Sequence, residues 1–253
     1  MEALFFTGLG VWAAGALLDL ILGARRLAGR AAPYVAGALG GAFIAASGVL
    51  ATLRPAETIN LGSTLEVGKT LLALDSLAGI FLTLMGCLAV VVSACMFSWT
   101  RPAERVARRG TAAGYLLLLG SVAVVVSAGD AFTFLFAWES LTLSFYLLIG
   151  TARRSVPASR AAWVTFAVGK AGGAALLVAF LLLAGRAGSF TIAAWAGVPP
   201  GASHTAAYVL LVVGFGAKVG IAPFQVWIPV GYPQAPGPAR AALAGLAVNV
   251  GFY

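Results

Sequence analysis

The chain has 253 residues, 61% of them hydrophobic and only 9% charged, with a mean hydropathy of +0.98. Ordinary globular chains are about 45–50% apolar and about 25% charged, so this one cannot coat a water-facing surface of its own size; a cytosolic enzyme and a disordered tail are excluded, and an all-α polytopic transmembrane bundle is expected. The net charge of +8 does not indicate nucleic acid, because the basic residues are scattered between apolar runs, where membrane topology explains them.

A membrane-spanning helix needs roughly 20 mostly apolar residues. Seven such runs, and the start of an eighth, follow one another at 5–22, 33–53, 71–97, 111–129, 131–150, 161–184, 206–227 and from 238 onward. Leu, Ala, Val and Gly dominate them without alternation, which favours helices over the strands of a barrel. The first run has no positive start and no small-residue cleavage site, so it reads as a retained helix. The connection 54–70 is the one long loop; Asn60-Leu61-Gly62-Ser63 is its turn signal, Glu57, Glu66 and Lys69 are its solvated charges, and a short hairpin fits there. Residues 185–205 form a weaker loop that carries the single histidine, His204, to which no role is given. The last run stops on Gly251-Phe252-Tyr253 without a polar flank. Its final carbonyls would each cost several kcal/mol in hydrocarbon, so a chain cut inside its eighth helix is expected.

With the N-terminus outside, the inside connections carry eleven basic residues: Arg25, Arg26, Arg30, Arg101, Arg105, Arg108, Arg109, Arg153, Arg154, Arg160 and Arg240. The outside ones carry three, Arg54, Lys69 and Arg186. Basic residues accumulate on the cytoplasmic side, so the N-out orientation follows. Multi-pass insertion in the cell's inner (cytoplasmic) membrane is expected. Cys87 and Cys95 share one run and suggest neither a disulfide framework nor a metal site. No cysteine cluster, histidine pair, phosphate loop or dinucleotide fingerprint is present in the sequence. No cofactor is expected, and any electrons would be carried by another chain.

Ionisable residues at bilayer depth cost at least about 2.5–3.5 kcal/mol each on insertion scales, and so are candidates for function. Asp19 is close enough to its run's end to snorkel to the cytoplasmic interface. Asp75 stands near the outside end of its run, where a helix N-terminus favours a carboxylate. Asp130, between two runs, reads as an interfacial helix cap. Glu139, Lys170 and Lys218 lie about eight to twelve residues inside three successive runs, too deep to reach water easily. Three helix faces could bring this acid and two bases together. A group balanced between desolvation and a neighbouring opposite charge can take up and release protons; a static ion pair pinning helices is the other reading. Lys218 also precedes Pro223 by five residues in a glycine-rich stretch, Gly214-Phe-Gly-Ala-Lys-Val-Gly-Ile-Ala-Pro223. Proline removes a backbone hydrogen bond, and broken helices near the midplane are how transporters build ion sites. Pro229, Pro233, Pro236 and Pro238 predict a stiff turn into the next run. The Gly-x-x-x-Gly spacings Gly37/Gly41 and Gly169/Gly173 allow close helix approach.

Two stretches carry a family resemblance. Phe132-Thr-Phe-Leu-Phe-Ala-Trp-Glu139-Ser-Leu-Thr-Leu-Ser-Phe-Tyr resembles the fifth-helix motif of the antiporter-like membrane subunits. Those subunits occur in respiratory complex I, Mrp-type cation/proton antiporters and energy-converting membrane hydrogenases. Lys218-Val-Gly-Ile-Ala-Pro-Phe-Gln-Val-Trp-Ile-Pro229 and the following Tyr232-Pro-Gln-Ala-Pro-Gly-Pro resemble the family's broken seventh helix and its turn into the eighth. The proline-rich turn is most similar to the large membrane subunit (component B) of hydrogenase-4 and formate hydrogenlyase-type complexes. The resemblance implies that Glu139 and Lys218 are the pair that drives proton movement, with Lys170 as relay or modulator. It also implies two inverted repeats. Residues 1–110 would be the N-terminal three helices with the outside loop at 54–70, and 111–253 the first five-helix repeat, truncated in its last helix. Its implied partners are other membrane subunits and a peripheral redox arm of hydrogenase or NADH dehydrogenase type. Asn249 stands where many relatives have the central lysine of helix eight, Gln225 where relatives often carry histidine, and no acid follows Lys170; Gln225 and Asn249, with Asp75, are the accessory candidates. The expected function is a proton- or cation-translocating subunit of an oxidoreductase complex; the alternatives are an Mrp-like antiporter subunit and a non-conducting scaffold.

Overall fold

The computed structural model describes residues 1–22, 27–62, 70–100, 110–152 and 155–253. Arg25, Arg26, Arg101, Arg105, Arg108, Arg109, Arg153 and Arg154, together with Ser63, Glu66 and Lys69, lie outside them. The helices in chain order are α1 (Glu2–Leu22), α2 (Leu27–Leu53), α3 (Ser76–Thr100), α4 (Thr111–Ser127), α5 (Ala131–Ala152), α6 (Val156–Ala187) and α7 (Ala202–Val219), then two short ones, α8 (Trp227–Gly231) and α9 (Gly237–Ala242). Six helical spans among the described residues are long and apolar enough to cross a membrane, the last running from Ala202 through the broken region to Gln234. The chain is a multi-pass membrane helix bundle, as its composition requires.

α4 is shorter, 17 residues, but 14 of these are buried, so it is enclosed by protein and forms the centre of the bundle. On one side it meets α1 and the α2–α3 pair; on the other it meets α5, from which α6 and α7 continue the packing, while α9 leans on α3 and α8 on α6. In lipid no hydrophobic force drives helices together, so close approach must supply van der Waals contact. Gly48 and Gly79 meet across α2 and α3 so closely that a Cβ on Gly79 would stand 2.7 Å from the Gly48 carbonyl oxygen. Gly41, one of the spacing motif's glycines, faces the Gly86 carbonyl in the same seam, where a Cβ would stand 2.8 Å away.

At the end read as outside, β1 (Glu57–Asn60) pairs antiparallel with β2 (Leu71–Leu74) in the register Glu57↔Leu74 to Asn60↔Leu71. The hairpin fits the turn signal, but its second strand occupies the start of the third apolar run, which the sequence reading made helical. A run of apolar residues does not distinguish strand from helix. Here backbone pairing decides: Gly129 N donates to Leu71 O at 2.8 Å, and Leu72 bridges to Ala128. α3 therefore begins at Ser76, and Asp75 is its cap, with Ala78 N donating to Asp75 Oδ1 at 2.7 Å.

Asp130 is 1% exposed and ties three connections together. It accepts from Leu71 N at 2.7 Å, Phe132 N at 2.9 Å, Thr133 N at 3.0 Å and the Thr133 hydroxyl at 2.6 Å, while its backbone bridges to Thr191. The interfacial cap expected from sequence is thus also the clasp of that end of the bundle.

Asp19 corrects an expectation. It does not snorkel to water: it is 3% exposed and accepts from Gly110 N at 3.0 Å and Ala113 N at 2.9 Å. The first N–H groups of α4 need acceptors, and Gly110, left-handed at φ 92°, has no side chain to offer one. Asp19 caps α4 from another helix.

The eighth run is also irregular where a helix was read. After α9 come a π turn (Leu243–Ala247) and a 3₁₀ turn (Asn249–Gly251). His204 is exposed in the first turn of α7.

Candidate functional site

The site forms where α5, α6 and α7 come together. Two glycines of α6 set the α5–α6 separation. A Cβ on Gly173 would collide with the Glu139 carboxylate, and one on Gly169 would stand 2.5 Å from the Thr142 methyl. The second Gly-x-x-x-Gly spacing is therefore the floor on which the polar residues of α5 rest. Gly172, between them, faces α7, where a Cβ would stand 2.9 Å from that of Ala217.

Glu139 forms a salt bridge with Lys170, from Oε2 to Nζ. The two side chains are 34% and 46% exposed on the outer face of α5 and α6, with the Lys170 ammonium 5.2 Å from the Phe166 ring centre. Lys218 is different, being only 5% exposed. Its Nζ donates to the Thr142 hydroxyl at 3.2 Å and lies 5.4 Å and 4.7 Å from the ring centres of Trp138 and Phe145. The charges of Glu139 and Lys170 act on it through space, and the partner it touches is Thr142. All three sequence-predicted residues are brought into one neighbourhood, as a pair and a neighbour.

The local backbone explains Lys218. α7 stops at Val219, and Gly220 takes the left-handed conformation (φ 79°) that glycine adopts without penalty. The break expected at Pro223 thus opens three residues before it. Gly220 N and Ile221 N both bond back to Gly216 O, which leaves the Ala217 carbonyl without its helical donor. Trp227 Nε1 supplies one at 2.9 Å. Irregular backbone at membrane depth needs such internal partners.

Aromatic rings wall the site. Trp138 stacks on Phe134 and meets Phe215 edge-on, and Phe145 meets Trp227 edge-on. Phe134 and Phe215 also line a cavity of about 600 Å³ that reaches the hairpin residues Thr58, Leu71 and Ala73, with Asp75 and Tyr253 on its wall. Asp75, read as accessory, belongs there and not to the Glu139–Lys218 cluster. Gln225 is exposed in the 3₁₀ turn Phe224–Val226. Asn249, also exposed, donates to Ala244 O at 3.5 Å and Gly245 O at 3.0 Å. Neither bonds to the charged residues among the described contacts.

Sequence reading missed Thr142, Trp138, Phe145 and Trp227. The first three stand at i+4, i and i+7 on α5, one stripe of a helix, and that spacing beside Glu139 was the available signal.

Residues 128–253 match the family model described as NADH:quinone oxidoreductase/Mrp antiporter, TM. Its C-terminal half belongs to that family of antiporter-like membrane subunits. The chain is 32% identical over 207 residues to an uncharacterised protein of Mycobacterium tuberculosis, covering 81% of this chain and 32% of that one. It is 29% identical over 192 residues to hydrogenase-4 component B of Escherichia coli, covering 74% and 28%. The antiporter-like chain thus spans about a third of the length of these curated relatives. A chain of the archaeal membrane-bound sulfane sulfur reductase, a respiratory membrane complex, shares the fold: TM-score 0.85 at 18% identity, covering 98% of this chain and 51% of that one.

Proposed function

We propose that this chain is the ion-translocating membrane part of a respiratory or energy-converting oxidoreductase complex of the hydrogenase-4 or NADH-quinone oxidoreductase type. It moves protons, or another cation, through Glu139, Lys170 and Lys218 as redox chemistry in partner subunits perturbs them. The observation that carries this reading is a buried lysine at the end of a broken helix, one turn along α5 from a carboxylate that another lysine already occupies. A static pin needs one acid and one base. A second base in reach gives the carboxylate two possible partners, and exchange between them is how a charge pattern switches.

In this reading residues 111–253 are the first repeat and 1–110 the helices that brace it, set in the cytoplasmic membrane. The partly exposed Glu139–Lys170 face, too costly to present to lipid, is covered by protein in the assembled complex, and a peripheral arm carries the redox centres.

The test replaces Glu139 by Gln in the full chain within its complex. In inverted membrane vesicles, electron transfer should continue while the dye signal for proton uptake disappears. Proton uptake equal to wild type in the assembled variant would refute the proposal and favour a scaffold. Cation-driven proton flux that persists without any electron donor would instead identify a secondary antiporter.

A further inference from the structure

We infer that Thr142 is a positioning residue, whose hydroxyl, together with the Trp138 and Phe145 rings, holds Lys218 one helical turn away from Glu139 while Lys170 occupies that carboxylate. This rests on reading Glu139 and Lys218 as the translocating pair.

The direction of the hydrogen bonds supports it. The Thr142 hydroxyl donates to the Trp138 carbonyl at 3.1 Å, so its proton is committed to the helix backbone and its lone pairs are left for Lys218 Nζ at 3.2 Å. The chain from Lys218 through Thr142 ends on a backbone carbonyl. It can hold an ammonium in place, and it offers no onward route for a proton. The ring centres at 5.4 Å and 4.7 Å are within the roughly 6 Å over which an aromatic face attracts a cation. Together the stripe gives Lys218 a station that needs no carboxylate. Glu139 is three residues earlier on α5, about 4.5 Å along the axis at 1.5 Å per residue. Among the described residues, the charged groups that act on Lys218 are Glu139 from α5 and Lys170 from α6; the segment 220–234 that follows it contains no charged residue.

Thr142 also packs, its methyl fitting the gap above Gly169. Two substitutions separate the roles. Thr142→Val keeps the shape and methyl and loses the hydroxyl; Thr142→Ser keeps the hydroxyl and loses the methyl. In vesicles carrying the complete complex, with its amount measured by immunoblot, we expect Thr142→Val to lower proton uptake per electron about tenfold or more, the scale of a lost hydrogen bond to a charged group. Thr142→Ser should stay within about twofold of wild type. Uptake in Thr142→Val equal to wild type, or Ser falling below Val, would overturn the inference. If Glu139→Gln abolishes uptake in the same series while Thr142→Val does not, only the positioning role fails. If Glu139→Gln leaves uptake intact, the underlying functional reading fails with it.

Discussion

Three glycines of α6 provide a graded test of how the site is assembled. Replacing a helical glycine by alanine stabilises by roughly 0.5–1 kcal/mol where nothing obstructs the new methyl. At Gly185 nothing stands within 4 Å, so that gain should appear in full. At Gly172 the methyl would stand 2.9 Å from Ala217 Cβ and 3.1 Å from the Gly214 carbonyl oxygen, both on α7. Backbone cannot step aside, and overpacking costs about 1–3 kcal/mol, so a net loss of about 1–2 kcal/mol is expected. At Gly173 the methyl lands on the Glu139 carboxylate, the mobile end of a long side chain. The carboxylate moves and its pair with Lys170 breaks, so proton uptake should fall. The assay pairs thermal unfolding of the purified protein in detergent, at about 2–4 °C per kcal/mol, with vesicle proton uptake. The reasoning is refuted if Gly172→Ala melts as high as Gly185→Ala, or if Gly173→Ala translocates like wild type.

Two further substitutions probe the scaffold of the site. Trp227→Phe keeps an edge-on ring contact with Phe145 and removes the donor to the Ala217 carbonyl; we expect a loss of about 1–3 kcal/mol, the cost of a buried acceptor left unpaired, read as a lower melting temperature. Asp130→Ala removes the acceptor of Leu71 N and the cap of α5. The cap is worth about 0.5–2 kcal/mol and the orphaned Leu71 N–H about 1–3 kcal/mol, and faster limited proteolysis in the hairpin would report the loosened end; cleavage at the wild-type rate would contradict the clasp.

The bundle was legible because its driving force is local in sequence: long apolar runs, glycine and proline punctuation, and charges too costly to bury without purpose. Glu139, Lys170 and the break near Pro223 stand out for that reason. What stayed hidden depends on partners distant along the chain. Leu71–Leu74 reads as the start of a helix until Glu57–Asn60 and Gly129 are placed beside it. Asp19 reads as an end-of-helix anchor until α4 brings Gly110 and Ala113 to it. Thr142 looks like an ordinary helix residue, since its hydroxyl gains a role only when α7 ends at Gly220 and delivers Lys218 from 76 positions away.

Lys218→Met in the full-length chain of the assembled complex tests the central claim most directly. Methionine keeps the unbranched shape and most of the length of the side chain beside Trp138 and Phe145, and removes the charge. The measurement is proton uptake per electron transferred in inverted vesicles. The account predicts continued electron transfer with no proton gradient; a gradient equal to wild type would contradict it.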